Sequence, residues 1–258
     1  MIEENIHTEA SYSVKDDRFT IEKIPDSQLI VELSDSFLHF AVSDPENRMV
    51  WLEDFPLYPQ SKIRRIKQLF NDHPLLSVRF WKTIKILIHS SKKCFIPSNI
   101  EPEEAKEILK LLYKKDVSDT MITSVHDGGF VFEAEPELIT FLEDFYPEKE
   151  VKIELAESFL RTNTLIFHQL GLTLVLIQNG INTYFSSSFE KFIPILKEKN
   201  IQDLQVCGEV TGYALEFKQL SGRFSGVKLA EKNQELTFSQ YFQDCPMHRY
   251  YLLFAAAL

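Results

Sequence analysis

The chain is poor in residues that several functions depend on. Cys94, Cys207 and Cys245 are its only cysteines, odd in number and with no CxxC spacing. That excludes a disulfide framework and a cysteine zinc site, and it fits a reducing compartment. Eight glycines serve 258 residues, and none builds a GxGxxG fingerprint or a P-loop. Seven histidines are scattered without an HExxH or HxH spacing, so no metal centre is expected. A G-x-S-x-G elbow is missing, which removes one familiar frame for a serine nucleophile. No apolar run approaches the ~20 residues that span a bilayer; "TLVLIQ" and "YYLLFAAAL" are much shorter. Residues 1–24 are polar and acidic and hold no signal-peptide h-region. Positive charge is in the minority, 28 Lys and Arg against 38 Asp and Glu, for a formal charge of −10. Nucleic acid and anionic membranes call for clustered Lys and Arg. Neither is an expected partner, and a cytoplasmic location without membrane insertion is expected.

Core material, by contrast, is ample. The composition is 44% hydrophobic and 26% charged, as in soluble globular proteins, and the length suits one large domain or two ordinary ones. Residues 1–27 read as a tail with room for one edge strand. Strands are predicted at 28–33, 37–43 and 48–55, broken by "SDS" and "DPEN". A helix follows from about Ser61, a good N-cap, to Asn71. Its basic stretch, Lys62 to Lys67, reads as the solvated side, with Ile63, Ile66, Leu69 and Phe70 inward. Residues 82–90 and 92–97 read as a further strand pair. "EPEEAKEILKLLYKK" is a helix opened by Pro102. "DTMITSVHDGGFVFEAE" is a hairpin about Asp127-Gly128, a turn that also accounts for His126-Asp127, otherwise a candidate dyad. A helix over 136–146 leads into a connecting stretch.

From Thr164 the opening pattern returns. "TLIFH", "LTLVLIQ" and "INTYFSS" are three strands in succession, the last two joined by an Asn179-Gly180 turn. A helical segment places Phe189, Phe192, Ile193 and Leu196 on one face, with Pro194 near its start or kinking it. A strand "DLQVCG", a helical "TGYALEFKQL", a strand over 224–229 and a C-terminal helix from near Asp244 complete the chain. Thus β-β-β-α occurs twice, about 136 residues apart, and each copy continues into alternating β and α elements. The organisation predicted is a tail (1–27), one α/β lobe with an inserted hairpin (28–162) and a second lobe (163–258). Val31 and Val175 are expected between sheet and helices. Phe40, Trp51, Phe55, Tyr58, Phe80 and Trp81 fall between the first sheet and its helices, as core or as an exposed partner surface.

A duplicated β-β-β-α-β-α lobe is the plan of the actin, sugar-kinase and Hsp70-like (ribonuclease H-like) superfold, and residues 28–258 resemble it. The stretches that carry the likeness are "LIVELSDSFLHFAV", "TLIFHQLGLTLVLIQNGINTYFSSSF", "DLQVCGEVTG" and "MHRYYLLFAAAL". More closely, the chain resembles a family of Bacteroidota proteins with an actin-like ATPase fold, distantly similar to pilus-assembly and divisome proteins of the PilM and FtsA kind. The resemblance implies a nucleotide cleft built by Glu32, Ser34, Asp35 and Ser36, by His168, Gln169 and Gly171, and by Gly208, Glu209, Thr211 and Gly212. Active members open the first hairpin with D-x-G, where Asp holds the magnesium shell and Gly lets backbone N–H groups approach phosphate. Here that stretch is Glu32-Leu33-Ser34. The second hairpin offers His168 in place of a carboxylate, and imidazole is a poor magnesium ligand. At the adenine-side motif, Gly208 is kept but Glu209 replaces the second glycine.

Three departures at three nucleotide motifs imply a non-catalytic scaffold or adaptor acting through protein partners, with no cofactor. The alternative is an ATPase or nucleotide-gated switch using ATP and magnesium with atypical ligands, Glu32 and the 208–212 loop. A third reading, an enzyme on another superfold, stays open because fold does not dictate chemistry. Gly208, Gly212, Gly222 and Gly226 are half of all the glycines, read either as turns or as a remnant ligand loop.

Overall fold

The computed structural model describes residues 9–96, 100–114, 121–124, 129–147, 151–168, 171–178 and 181–258. Strand β1 (Tyr12–Lys15) precedes three long strands, β2 (Gln28–Leu33), β3 (Phe37–Ser43) and β4 (Arg48–Pro56), and helix α1 (Lys62–Asp72). Then come β5 (Thr83–Ile88), β6 (Lys93–Ile96), α2 (Pro102–Leu112), β7 (Met121–Ser124), β8 (Gly129–Glu133), α3 (Pro136–Phe145) and β9 (Val151–Leu155). The second half runs β10 (Thr164–His168), β11 (Gly171–Gln178), β12 (Ile181–Ser187), α4 (Phe189–Glu198), β13 (Asp203–Gly208), α5 (Ala214–Arg223), β14 (Gly226–Leu229), β15 (Thr237–Phe238) and α6 (Tyr251–Ala255).

Two sheets repeat one topology. The first has the order β4-β3-β2-β5-β9 at its heart, and the second β12-β11-β10-β13-β14. In each, three antiparallel strands are followed by two that run parallel to the first. The duplicated pattern of the sequence is thus a duplicated sheet. β1 pairs with the outer edge of β4, the edge strand foreseen for the tail. Between β5 and β9 the first lobe carries an inserted three-stranded sheet, β6-β8-β7, packed under α2 through Ile96, Ala105, Leu109 and Val131.

Strand periodicity divides each sheet between two cores. Leu29, Val31 and Leu33 pack with Ile66, Leu69 and Phe70 of α1 and Leu138 and Leu142 of α3. Ile30, Ala41 and Leu52 point the other way and meet Ile166, Val175 and Cys207 of the second sheet, with Leu252, Leu253 and Phe254 among them. The C-terminal segment is therefore sandwiched between the lobes. β15 adds to β4, and Lys85 of β5 donates to the Ala256 carbonyl at 2.6 Å, closing α6 at its carbonyl end.

Several local expectations need correction. Residues 92–97 do not pair with 82–90: β5 joins β2, whereas β6 joins β8. The stretch after 146 contains β9, the fifth strand of the first sheet; its alternating "VKIEL" is short and half-charged, which hid it. Ser61 makes no side-chain cap to α1. The basic side of that helix is only partly solvated, since Arg65 is buried and Lys62 and Lys67 pair with Asp35, Glu135 and Glu137. The C-terminal helix starts at Tyr251, not near Asp244, and Pro194 lies inside α4. Val175 is buried between the lobes, not under the helices of its own sheet. Phe40, Phe55 and Trp81 are core, Trp51 is half-buried, and Tyr58 and Phe80 are exposed. The turns at 125–128 and 179–180 lie outside the described residues.

Candidate functional site

The carboxyl ends of the parallel strands in both sheets face one cleft, the place where ligands gather in α/β folds. Glu32 ends the inward-facing row of β2. It is 2% exposed, yet carries two imidazoles: His39 Nδ1 lies 3.3 Å from Oε2 and His89 Nε2 lies 2.7 Å from Oε1. The chain of contacts continues. His39 Nε2 is 3.3 Å from Asp54, and Asp54 Oδ2 receives Tyr250 Oη at 3.2 Å and Arg249 at 2.8 Å. Arg249 also reaches Glu209 at 3.2 Å. A second arm leads from His89 to His168, with ring centroids 5.2 Å apart, and to the buried Glu157, which pairs with Lys93. The Phe37 ring stacks on His39 at 3.8 Å and covers the first arm.

Burial and pairing set the charges. Burial alone would raise the Glu32 carboxyl, but hydrogen bonds from His39 and His89 outweigh it and hold the group at about 2. His39 is pushed down by burial and up by Asp54 and Glu32, and the carboxylates win, so its pKa is raised. His168 goes the other way: burial and the neighbouring His89 lower it to about 3, against the pull of Glu157. The cleft therefore sets a histidine drawn toward its charged form by two carboxylates on one arm against a histidine that burial disfavours charging on the other.

The expected site residues divide into groups. Glu32, His168, Gly208 and Glu209 converge on one crevice of about 10 Å³. Ser34, Asp35, Ser36, His168 and Gly171 line a neighbouring hollow of about 190 Å³. Thr211 and Gly212 are exposed and line neither space. Gln169 lies outside the described residues. The Ser34 hydroxyl accepts the backbone N–H groups of Ser36 and Phe37, both at 3.1 Å, so it occupies hairpin donors that a phosphate would need. Glu209 is no lone repulsive charge, because Arg249 faces it. Gly208 is required by the backbone, with φ of +87° and an added Cβ only 2.3 Å from the Phe167 carbonyl oxygen.

His39, Asp54, His89, Glu157 and Arg249 belong to this cluster but were not singled out in the sequence. His89 directly follows β5, its N–H bonded to the Leu33 carbonyl, so a titratable residue at a parallel strand end was the available signal. Glu157 follows β9 and was hidden with that strand.

A duplicated sheet of this topology, closed around a cleft of strand ends, defines a protein of the actin-like ATPase fold. A family model described as "Protein of unknown function (DUF3822)" matches residues 16–176, more than half of the chain, and the chain belongs to that family. No curated protein is similar to it in sequence. Among solved structures it is similar to a Bacteroides thetaiotaomicron protein described as having an actin-like ATPase fold and unknown function. The TM-score is 0.66 at 16% identity, over 84% of this chain and 96% of that one. A chain of the PilM–PilN type IV pilus biogenesis complex matches with a TM-score of 0.56 at 10% identity, over 89% of this chain and 97% of that one. Similarity at these identities speaks for the fold alone. Among the described residues, no helix is long and apolar enough to cross a membrane.

Proposed function

We propose that this chain is a non-catalytic actin-fold protein, a cytoplasmic scaffold or adaptor that works through protein contacts and no longer uses its nucleotide cleft. The observation that carries this reading is the filling of the cleft. The crevice between Glu32 and Gly208 is about 10 Å³, at the limit for a single water. The adjoining hollow of about 190 Å³ is smaller than the roughly 300–1,000 Å³ of ordinary ligand pockets. Where a magnesium-nucleotide would need free carboxylates and free backbone donors, the carboxylates are paired with histidines and Arg249, and Ser34 takes the donors. A structural relative named for a two-protein pilus assembly complex agrees with a role in assembly. So do the exposed apolar side chains of Tyr58, Leu111 and Leu215, which leave surface for partners.

Thermal-shift titration of the full chain with Mg-ATP and Mg-ADP tests the reading. A ligand at a hundred times its Kd would add about 2.7 kcal/mol of stability. No shift is expected at millimolar nucleotide. Micromolar binding by calorimetry, lost in Glu32→Ala, would replace this reading with a nucleotide-gated switch. Restoring the motif by Leu33→Ile, Ser34→Gly, His168→Asp and Glu209→Gly together is expected to raise nucleotide affinity.

A further inference from the structure

His89, Glu157 and His168 come from the ends of three different strands, and each offers a ligand atom within 4.8 Å of those of the other two. They are distant in sequence, so no spacing motif announces them. His89 has 10% of its side chain exposed and Glu157 has none. His89 Nδ1 and Glu157 Oε2 are fully buried and have no hydrogen-bond partner among the described residues. Buried polar atoms normally find partners, so two orphans on residues of one cluster ask for a missing one.

We propose that His89, His168 and Glu157 form a binding site for a zinc-class divalent cation, opening onto the hollow between the hairpin tips. Two imidazoles and one carboxylate are a known zinc donor set, with the remaining position left to solvent. The outer contacts agree. His89 gives its Nε2 edge to Glu32, which leaves Nδ1 for the ion. A carboxylate behind a ligating histidine is the usual way to fix its tautomer and ring. His168 has Nε2 3.1 Å from the Thr173 hydroxyl, an arrangement that steadies the second ring. All three residues line the hollow of about 190 Å³, which supplies access and room for bound water.

Two features set the expected strength. Metal–ligand bonds of about 2.0–2.2 Å require the three atoms to draw together from their present separation, a side-chain adjustment. Lys93 pairs with Glu157 through Oε1, leaving Oε2 free for the ion, but its ammonium opposes a cation. Magnesium is not expected here, since it favours oxygen ligands over imidazole. The site is thus independent of any nucleotide reading.

The test is a zinc titration of the full-length, metal-stripped protein by competition with a chromophoric chelator, with cobalt as a spectroscopic probe of the same site. One Zn²⁺ per chain at micromolar affinity or tighter is expected, unaffected by excess Mg²⁺. Glu32→Gln should weaken it roughly 10- to 100-fold, the usual cost of an outer-shell partner, and His168→Asn should weaken it further. Lys93→Met should tighten binding, a readout that does not depend on the fold of a ligand variant. Absence of saturable binding in the unaltered chain overturns the proposal. So does binding whose affinity Lys93→Met and His168→Asn both leave unchanged, because the ion would then lie elsewhere.

Discussion

The β2–β3 and β10–β11 hairpins occupy equivalent places in the two lobes, yet they meet the cleft with opposite chemistry. "LIVE" at 29–32 and "LIFH" at 165–168 align residue for residue. Leu29 and Leu165 face the outer cores, while Ile30 and Ile166 share the inner one. The next inward position is Glu32 in one hairpin and His168 in the other. Around Glu32 the structure gathers two histidines, whereas His168 has a threonine hydroxyl and little else of opposite charge within hydrogen-bond reach. One backbone position thus buries a carboxylate in one lobe, where two ring nitrogens are brought to it, and in the other an imidazole whose pKa burial lowers.

The largest effect is expected where both positions are made apolar. Glu32→Leu removes the buried acceptor shared by His39 and His89 and leaves two buried ring nitrogens unpaired, at about 1–3 kcal/mol each. His168→Leu, in metal-free protein, loses a neutral hydrogen bond worth about 1 kcal/mol. Urea denaturation of the two variants should show this ranking; equal effects would mean that the Glu32 network is worth no more than a single neutral contact.

Acid titration sharpens the same contrast. Glu32 has a folded pKa of about 2, against an ordinary value of 4.5. Its contribution is present above pH 4.5 and lost as pH falls toward 2, about 3 kcal/mol at 1.36 kcal/mol per unit. His168, held neutral down to about 3, refuses a proton that the unfolded chain accepts, so it too costs stability as pH falls below 6.5. His39 has the opposite sign: its raised pKa adds stability below 6.5 that is lost as pH climbs through its folded value. Melting temperatures across pH should therefore decline on the acid side, and Glu32→Gln should flatten the part below pH 4.5.

Glycines at the two ends of the second lobe's site offer the next effect. Gly208→Ala must accept a φ of +87° and a backbone contact at 2.3 Å, a strain of about 1–3 kcal/mol. Gly171→Ala meets nothing within 4 Å and should be close to neutral in the same denaturation assay. A smaller effect than that of Gly208→Ala is expected for Lys85→Met, which gives up the bond to the Ala256 carbonyl across the lobe interface. Its cost is about 1 kcal/mol, read as faster amide exchange in α6.

Much of the fold was legible from the residues because strand alternation and helix stripes are local. The six strands of the two opening units, the Pro102 helix and the repeat of "LIVE" and "LIFH" all follow from spacing over a few residues. β9 was missed because "VKIEL" is short and half-charged, and its status comes from β5 beside it. β15 was missed because two residues carry no period. Glu32, His168, Gly208 and Glu209 could be named from the resemblance, but their partners could not. His39, Asp54, His89, Glu157 and Arg249 are ordinary polar residues until the strands deliver them to one place.

The sequence by itself determined that two like α/β units fold in tandem, since hydrophobic periodicity is written in the order of the chain and drives burial wherever the partner lies. It also puts Glu32-Leu33-Ser34, His168 and Glu209 at the three stretches that the actin-like resemblance marks. How those residues are paired comes from the tertiary contacts. Whether Glu32 is a free ligand or a paired anion, and whether Ser34 obstructs a phosphate or takes its donors, depends on groups up to hundreds of residues away in the chain. Charge and hydrogen bonding in a buried cleft are set by distances of 3 Å or so, and no local pattern encodes those.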